Sequence, residues 1–127
     1  MSDMRTPLRR VRGLGSAKDG TTHFWAVRLT SLALVPLTFF AVGLVFSLIG
    51  KDAQAARATI ASPLVAVPLL LFVVLSVEHM RLGMQEVIAD YVHGDLAKVV
   101  ALALNTAFCL LVGAASVFAV LKIAFGA

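Results

Sequence analysis

The stretch ATIASPLVAVPLLLFVVLSVEHMRLGMQEVIADY, residues Ala58–Tyr91, decides the fold. Its first part, Ala58–Val77, carries no charge and is close to the roughly 20 residues that cross a bilayer as a helix. Its second part is rich in charge, yet it contains no proline and no glycine except Gly83. We therefore expect one helix that crosses the membrane and continues, as a polar segment, to about Tyr91.

Two further uncharged runs, Leu29–Gly50 and Val99–Leu121, flank this one. The chain of 127 residues is 60% hydrophobic and 14% charged, whereas soluble proteins average about 25% charged residues. These features predict an all-α membrane protein of one domain, residues 1–127, with three transmembrane helices at about 22–50, 62–91 and 96–124. Residues 1–20 combine proline, glycine and charge without apolar periodicity, which predicts a mobile basic arm.

The Lys and Arg residues predict the orientation. Six of them lie in the first 28 residues, which makes that segment too polar for a secretory signal, so the first span is expected to be retained. Arg81 and Lys98 lie on the same side, against Lys51, Arg57 and Lys122 on the other. The positive-inside rule then places the N-terminus and the Asp90–Lys98 turn in the cytoplasm and the C-terminus in the periplasm.

The sequence gives little support for nucleic-acid binding, for an iron–sulfur cluster or for a soluble active site. The basic charges lie beside the spans, with no base-stacking aromatics among them, so we expect contact with the lipid bilayer and no nucleic acid. The single cysteine, Cys109, lies in the third apolar run and is interpreted as a small buried side chain; it cannot hold an iron–sulfur cluster alone. Water-facing segments are short, so soluble chemistry must come from partner subunits.

The polar end of the second span carries the candidate site. On a helical wheel, His79, Gly83, Glu86 and Asp90 lie within about 60° of one another. His79 lies roughly 16 Å from Asp90 along the axis, about half the hydrocarbon thickness. An ionisable group at that depth is a functional hypothesis in its own right.

His79 has two interpretations. A b-type haem takes an axial histidine nitrogen, and Gly83, one turn further on, would let the flat macrocycle approach the helix. A second ligand would then come from a partner chain, because His23 and His93 are expected at the membrane surface as solvated side chains. The alternative is a polar bridge between helices.

Tyr91, Asp90 and Arg28 are candidates at the cytoplasmic rim. A phenol can donate a hydrogen bond to a quinone carbonyl, and a carboxylate beside it can pass protons. The alternative for Tyr91 and Asp90 is an interfacial tyrosine beside a helix-end carboxylate. Arg28 is expected to pair with a haem propionate or with Asp90, or else to extend to the membrane surface as an interfacial arginine.

The pattern H-x3-G-M-x5-D-Y, formed by His79, Gly83, Met84, Asp90 and Tyr91, follows an H-x4-R segment at His23 and Arg28. Together with the length, the three spans and the cytoplasmic N-terminus, it resembles the small hydrophobic membrane-anchor subunit of succinate dehydrogenase, respiratory complex II, of alphaproteobacterial type. One departure is Glu86, a charge on the haem face with no identified partner.

The resemblance implies specific roles. His79 would be an axial ligand of a haem b shared with the cytochrome b subunit, with Gly83 beside it and Arg28 near the propionates. Tyr91 would hydrogen-bond ubiquinone, and Asp90 would line the quinone pocket.

The implied function is an anchor in the bacterial inner membrane. It would dock the flavoprotein and iron–sulfur subunits, which oxidise succinate, and form part of the site that reduces ubiquinone. The alternatives are the anchor of a quinol:fumarate reductase, and a non-redox membrane accessory protein in which His79 bridges two helices.

Overall fold

The computed structural model describes residues 6–8 and 19–126, the side chains of residues 19 and 20 excepted. The predicted mobile arm, residues 1–20, lies largely outside the described residues. Within residues 19–126, four helices follow one another: α1 at Asp19–Leu48, α2 at Ala53–Ala61, α3 at Pro63–Tyr91 and α4 at Asp95–Ala124. Three segments are long and apolar enough to cross a membrane, namely Thr21–Leu48, Pro63–Tyr91 and Asp95–Ala124. The predicted all-α membrane fold with three spans is confirmed.

The helix ends follow local sequence signals. After α1, Gly50 adopts a φ of 76°, a left-handed conformation that glycine accepts without steric cost. Asp52 then caps α2 by accepting a hydrogen bond of 2.7 Å from the backbone N–H of Ala55. Ser62 and Pro63 start α3, with the proline in the first turn, where its missing N–H costs nothing. The connection between α1 and α3 thus contains a helix of nine residues.

α3 is the central element. Both α1 and α4 pack on α3 rather than on each other, and α2 packs on α3 and α4. Where α3 meets α4, Asn105 donates a hydrogen bond of 3.0 Å to the backbone carbonyl of Arg81. Gly113 allows close approach there, because a Cβ at that position would lie 3.2 Å from Cγ1 of Val77.

The buried core is small. Cys109 is 1% exposed, which confirms that it is a buried side chain. The other buried residues are Thr30, Leu44, Ala66, Leu82, Ile88 and Val120. Large apolar side chains remain exposed along all three spans, so lipid or other subunits must cover most of the helix surface.

Candidate functional site

His79 contacts α1 through one ring nitrogen. Its Nδ1 lies 3.0 Å from Oγ1 of Thr30, which is 9% exposed. The same oxygen lies 2.8 Å from the carbonyl oxygen of Ala26 and 3.0 Å from that of Val27. Oγ1 carries a single proton and has these two carbonyls within reach, so the hydroxyl can donate to a carbonyl while Oγ1 accepts from the Nδ1–H of His79. In the neutral tautomer that carries its proton on Nδ1, the lone pair lies on Nε2.

The Nε2 atom of His79 is available to a group from outside the chain. It bonds to none of the described side chains and is not enclosed by them. The ring lines a groove of about 360 Å³ whose other walls are Ser31, Leu34, Val35, Thr38 and Phe39 of α1. A half-buried imidazole with one nitrogen fixed and the other open is the arrangement that a metal-bound histidine requires.

A second contact between α1 and α3 involves Glu86, whose carboxylate lies 3.0 Å from Nδ1 of His23. His23 and Thr30 are seven residues apart, and so are His79 and Glu86, which places the two antiparallel helices in a heptad register. Glu86 therefore has a partner that the sequence did not reveal. His23 is less solvated than expected for a side chain at the membrane surface: it is 27% exposed, and its Nε2 is enclosed without a hydrogen-bond partner among the described residues.

The same register corrects the position of Arg28. In two antiparallel helices, residues at the same level have numbers with a constant sum, and both contacts between α1 and α3 give 109. Arg28 therefore lies level with Arg81, and Asp90 lies level with residue 19. Arg28 is therefore nine residues, or about 13 Å, away from the level of Asp90. Within the described part of the chain it forms no ion pair with Asp90; its guanidinium lies 4.6 Å from the centre of the Phe24 ring. The alternative partner of Arg28, a haem propionate, stays a prediction.

The remaining predicted residues follow one open edge of α3. Gly83 is exposed, and a Cβ built on it would meet nothing within 4 Å. Met80, Val87 and Tyr91 are exposed by 39%, 48% and 77%. These four residues lie between about 40° and 120° from His79 on the helical wheel, on one side of α3. Asp90, also exposed, adjoins this open edge at its end.

Other polar groups nearby are satisfied locally. Glu78 and Arg81 pair on the same helix through two hydrogen bonds, of 2.6 Å and 2.9 Å. His93 is exposed, and its Nδ1 lies 3.1 Å from the carbonyl oxygen of Tyr91. No group of three or more His, Cys, Asp or Glu side chains that could hold a metal ion forms among residues 6–8 and 21–126. Within these residues, His79 could therefore supply only a single ligand to a metal ion.

Fold and site together define a multi-pass membrane subunit whose deep histidine is left open for a group from outside the chain. Residues 2–122 match the succinate dehydrogenase/fumarate reductase transmembrane subunits, and the chain belongs to that family. Its bacterial relatives place it in the inner membrane.

Three curated proteins, each named succinate dehydrogenase hydrophobic membrane anchor subunit, are similar to the chain. The Paracoccus denitrificans protein is 34% identical over 122 residues, covering 96% of this chain and 94% of its own. The Rickettsia bellii protein is 31% identical over 90 residues, covering 71% and 72%. The Rickettsia typhi protein is 25% identical over 118 residues, covering 93% and 94%. No solved structure gives a significant match to the chain.

Proposed function

We propose that the chain is the membrane-anchor subunit of a succinate:ubiquinone oxidoreductase, and that it holds haem b jointly with a cytochrome b subunit. The observation that carries the proposal is the bond between His79 Nδ1 and Thr30, which leaves Nε2 open at membrane depth. The names of the similar proteins support the assignment to a succinate dehydrogenase.

His79 would hold haem through Nε2. The hydrogen bond to Thr30 would fix the tautomer and hold the ring plane, as second contacts of metal-bound histidines generally do. Gly83, one turn along α3, leaves space beside the helix where a side chain would stand. Haem would supply one-electron transfer when bound, and the cytochrome b subunit would supply the other protein ligand.

Tyr91 and Asp90 form this chain's part of the quinone site. The phenol of Tyr91 donates a hydrogen bond to a quinone carbonyl. The Asp90 carboxylate, beside it at the helix end, takes up a proton from water and passes it to a quinone oxygen as electrons from the iron–sulfur subunit reduce the ring. Both side chains are exposed in the single chain, so the flavoprotein, iron–sulfur and cytochrome b subunits have room to complete the pocket around them. The chain itself takes no part in succinate oxidation.

Two alternatives use the same residues. An anchor of a quinol:fumarate reductase would run electrons the other way across the same open edge, and the family includes such subunits. A non-redox subunit would use His79 only to bridge helices, a role that the 3.0 Å contact with Thr30 already fulfils. The bridge needs only Nδ1, whereas the redox proposal needs Nε2 as well.

A haem spectrum separates the redox anchor from the bridge. The chain, purified with its copurifying subunits, should give a reduced-minus-oxidised difference spectrum of the b type. His79→Ala should lose or alter that spectrum, because only the partner's ligand remains. His93→Ala is the matched control, since His93 is exposed at the end of the span, and should leave the spectrum unchanged. An unchanged spectrum and midpoint potential in His79→Ala would rule His79 out as a ligand.

A further inference from the structure

A wide groove lies at the end of the bundle opposite Tyr91, between α2 and the last turns of α4. Its volume is about 910 Å³, within the usual range of small-ligand clefts, about 300–1,000 Å³. Arg57 of α2 and Lys122 of α4 both line it. We propose that this groove binds the headgroup of an anionic phospholipid. The proposal stands apart from haem and quinone binding, which concern the other end of α3.

Among residues 21–126, no side chain neutralises the basic charge of the groove. Neither Arg57 nor Lys122 forms an ion pair or a side-chain hydrogen bond with any residue from Thr21 to Gly126. Its other lining residues include one polar side chain, Gln54, and no acid. Two cations on one groove attract an anion, and a phosphate accepts from an arginine fork and from an ammonium at the same time.

The groove is built rather than incidental, because α2 is fixed where it lies. Asp52 caps its N-terminus, and Lys51 donates a hydrogen bond of 2.9 Å to Oγ1 of Thr59, which ties the preceding loop to the helix. The helix packs on α3 and α4, and Arg57 of α2 and Lys122 of α4 both line the groove. Ala58, Ala61 and Ala119 line it as well, and their small side chains leave room for a ligand.

The location favours a lipid over a free anion. Lys122 lies in the last turn of the membrane-spanning α4, and α2 joins the ends of the other two spans, which is where lipid headgroups lie. Ala119 and Ile123 of α4 also line the groove, and their apolar side chains suit contact with the first carbons of an acyl chain. Each basic residue near an anionic membrane surface adds to the attraction, so two on one groove select an anionic headgroup over a zwitterionic one.

Native mass spectrometry of the chain with its copurifying subunits tests the proposal. The complex is stripped of lipid in detergent, then incubated with phosphatidylglycerol, phosphatidylcholine or glycerol phosphate. We expect retained phosphatidylglycerol, with phosphatidylcholine and glycerol phosphate washed away. The double variant R57Q/K122Q should weaken phosphatidylglycerol binding tenfold or more, and R57K should keep it.

Lys51 provides a matched control. It lies at the same end of the bundle but is bonded to Thr59 and does not line the groove, so K51Q should bind phosphatidylglycerol as the parent does. Equal binding by R57Q/K122Q and parent would overturn the proposal. So would equal retention of phosphatidylcholine, or glycerol phosphate binding as tightly as the lipid. A carbodiimide cross-link from Lys122 to a copurifying subunit would assign the groove to a protein contact instead.

Discussion

At the residue scale, the chemistry of the site depends on the two nitrogens of one imidazole. A buried polar atom without a partner costs free energy, and the hydroxyl of Thr30 removes that cost for Nδ1. The sequence predicted the depth of His79 and the face it shares with Gly83. It could not predict Thr30, because threonines in membrane helices commonly bond their own helix carbonyls, as this one also does, and no pattern marks the additional contact.

Thr30→Val should change the electronic character of His79 while keeping the shape of the side chain. Without the oxygen, Nδ1–H loses its acceptor and the imidazole becomes a poorer electron donor at Nε2. The midpoint potential of the b-type spectrum should therefore rise, on the order of tens of millivolts for the loss of one hydrogen bond. A redox titration of the purified complex measures it.

Ser47→Ala is the control for that experiment. Ser47 lies on the same helix and also donates to a helix carbonyl, that of Leu44, but it makes no hydrogen bond to His79 and does not line its groove. Its removal should leave the potential unchanged. The same potential in Thr30→Val and in the parent, at equal haem content, would contradict the role of the Thr30 contact in tuning His79.

Tyr91→Phe tests the quinone end. Tyr91 is 77% exposed, so removing its hydroxyl should not disturb the packing of this chain. Quinone reductase turnover should fall roughly tenfold, because a hydrogen bond that strengthens as charge builds on the carbonyl oxygen is lost. Succinate oxidation measured with an artificial acceptor that draws electrons from the soluble subunits should not change. Equal quinone reductase rates would leave Tyr91 as an interfacial residue.

At the scale of elements, α3 joins two dissimilar interfaces. Its contact with α1 is made by paired polar side chains one heptad apart, Thr30 with His79 and His23 with Glu86. Its contact with α4 relies on close approach at Gly113 and on Asn105. The sequence predicted the shared face of α3. The register between two helices depends on which side chains meet, and a helical wheel of one helix does not contain that information.

Gly113→Leu should destabilise the α3–α4 interface. A Cβ there already lies 3.2 Å from Val77, so a larger side chain must force the helices apart, at a cost of about 1–3 kcal/mol. Val77→Ala should restore part of the loss by making room. Gly43→Leu is the matched control, since a Cβ on Gly43 meets nothing within 4 Å. Unfolding in mixed micelles measures the stability of the parent, of the two leucine variants and of Gly113→Leu combined with Val77→Ala. An equal loss of stability in both leucine variants would contradict close packing at Gly113.

At the scale of the whole molecule, the number of spans was predictable because the length of each uncharged run can be compared directly with the thickness of the bilayer. The level of Arg28 relative to α3 was not predictable. The sequence indicates that Arg28 lies near the end of a span, but it does not give the axial offset between two helices. Most of the apolar surface also stays exposed in the single chain. What covers it is a property of partners and lipid, which this sequence does not contain.

Orientation is the remaining property of the whole molecule, and it follows from charge alone. The six basic residues in the first 28 outweigh those at the opposite end, so the N-terminus and the turn after Tyr91 should face the cytoplasm. A reporter that is active only in the periplasm should be active when fused after Ala127. A reporter that is active only in the cytoplasm should be active when inserted in the turn at residues 92–94. The reverse pattern would carry Tyr91 to the far side of the membrane. Because the quinone site needs soluble electron donors beside it, that result would contradict the positions proposed for Asp90 and Tyr91 as well as the topology.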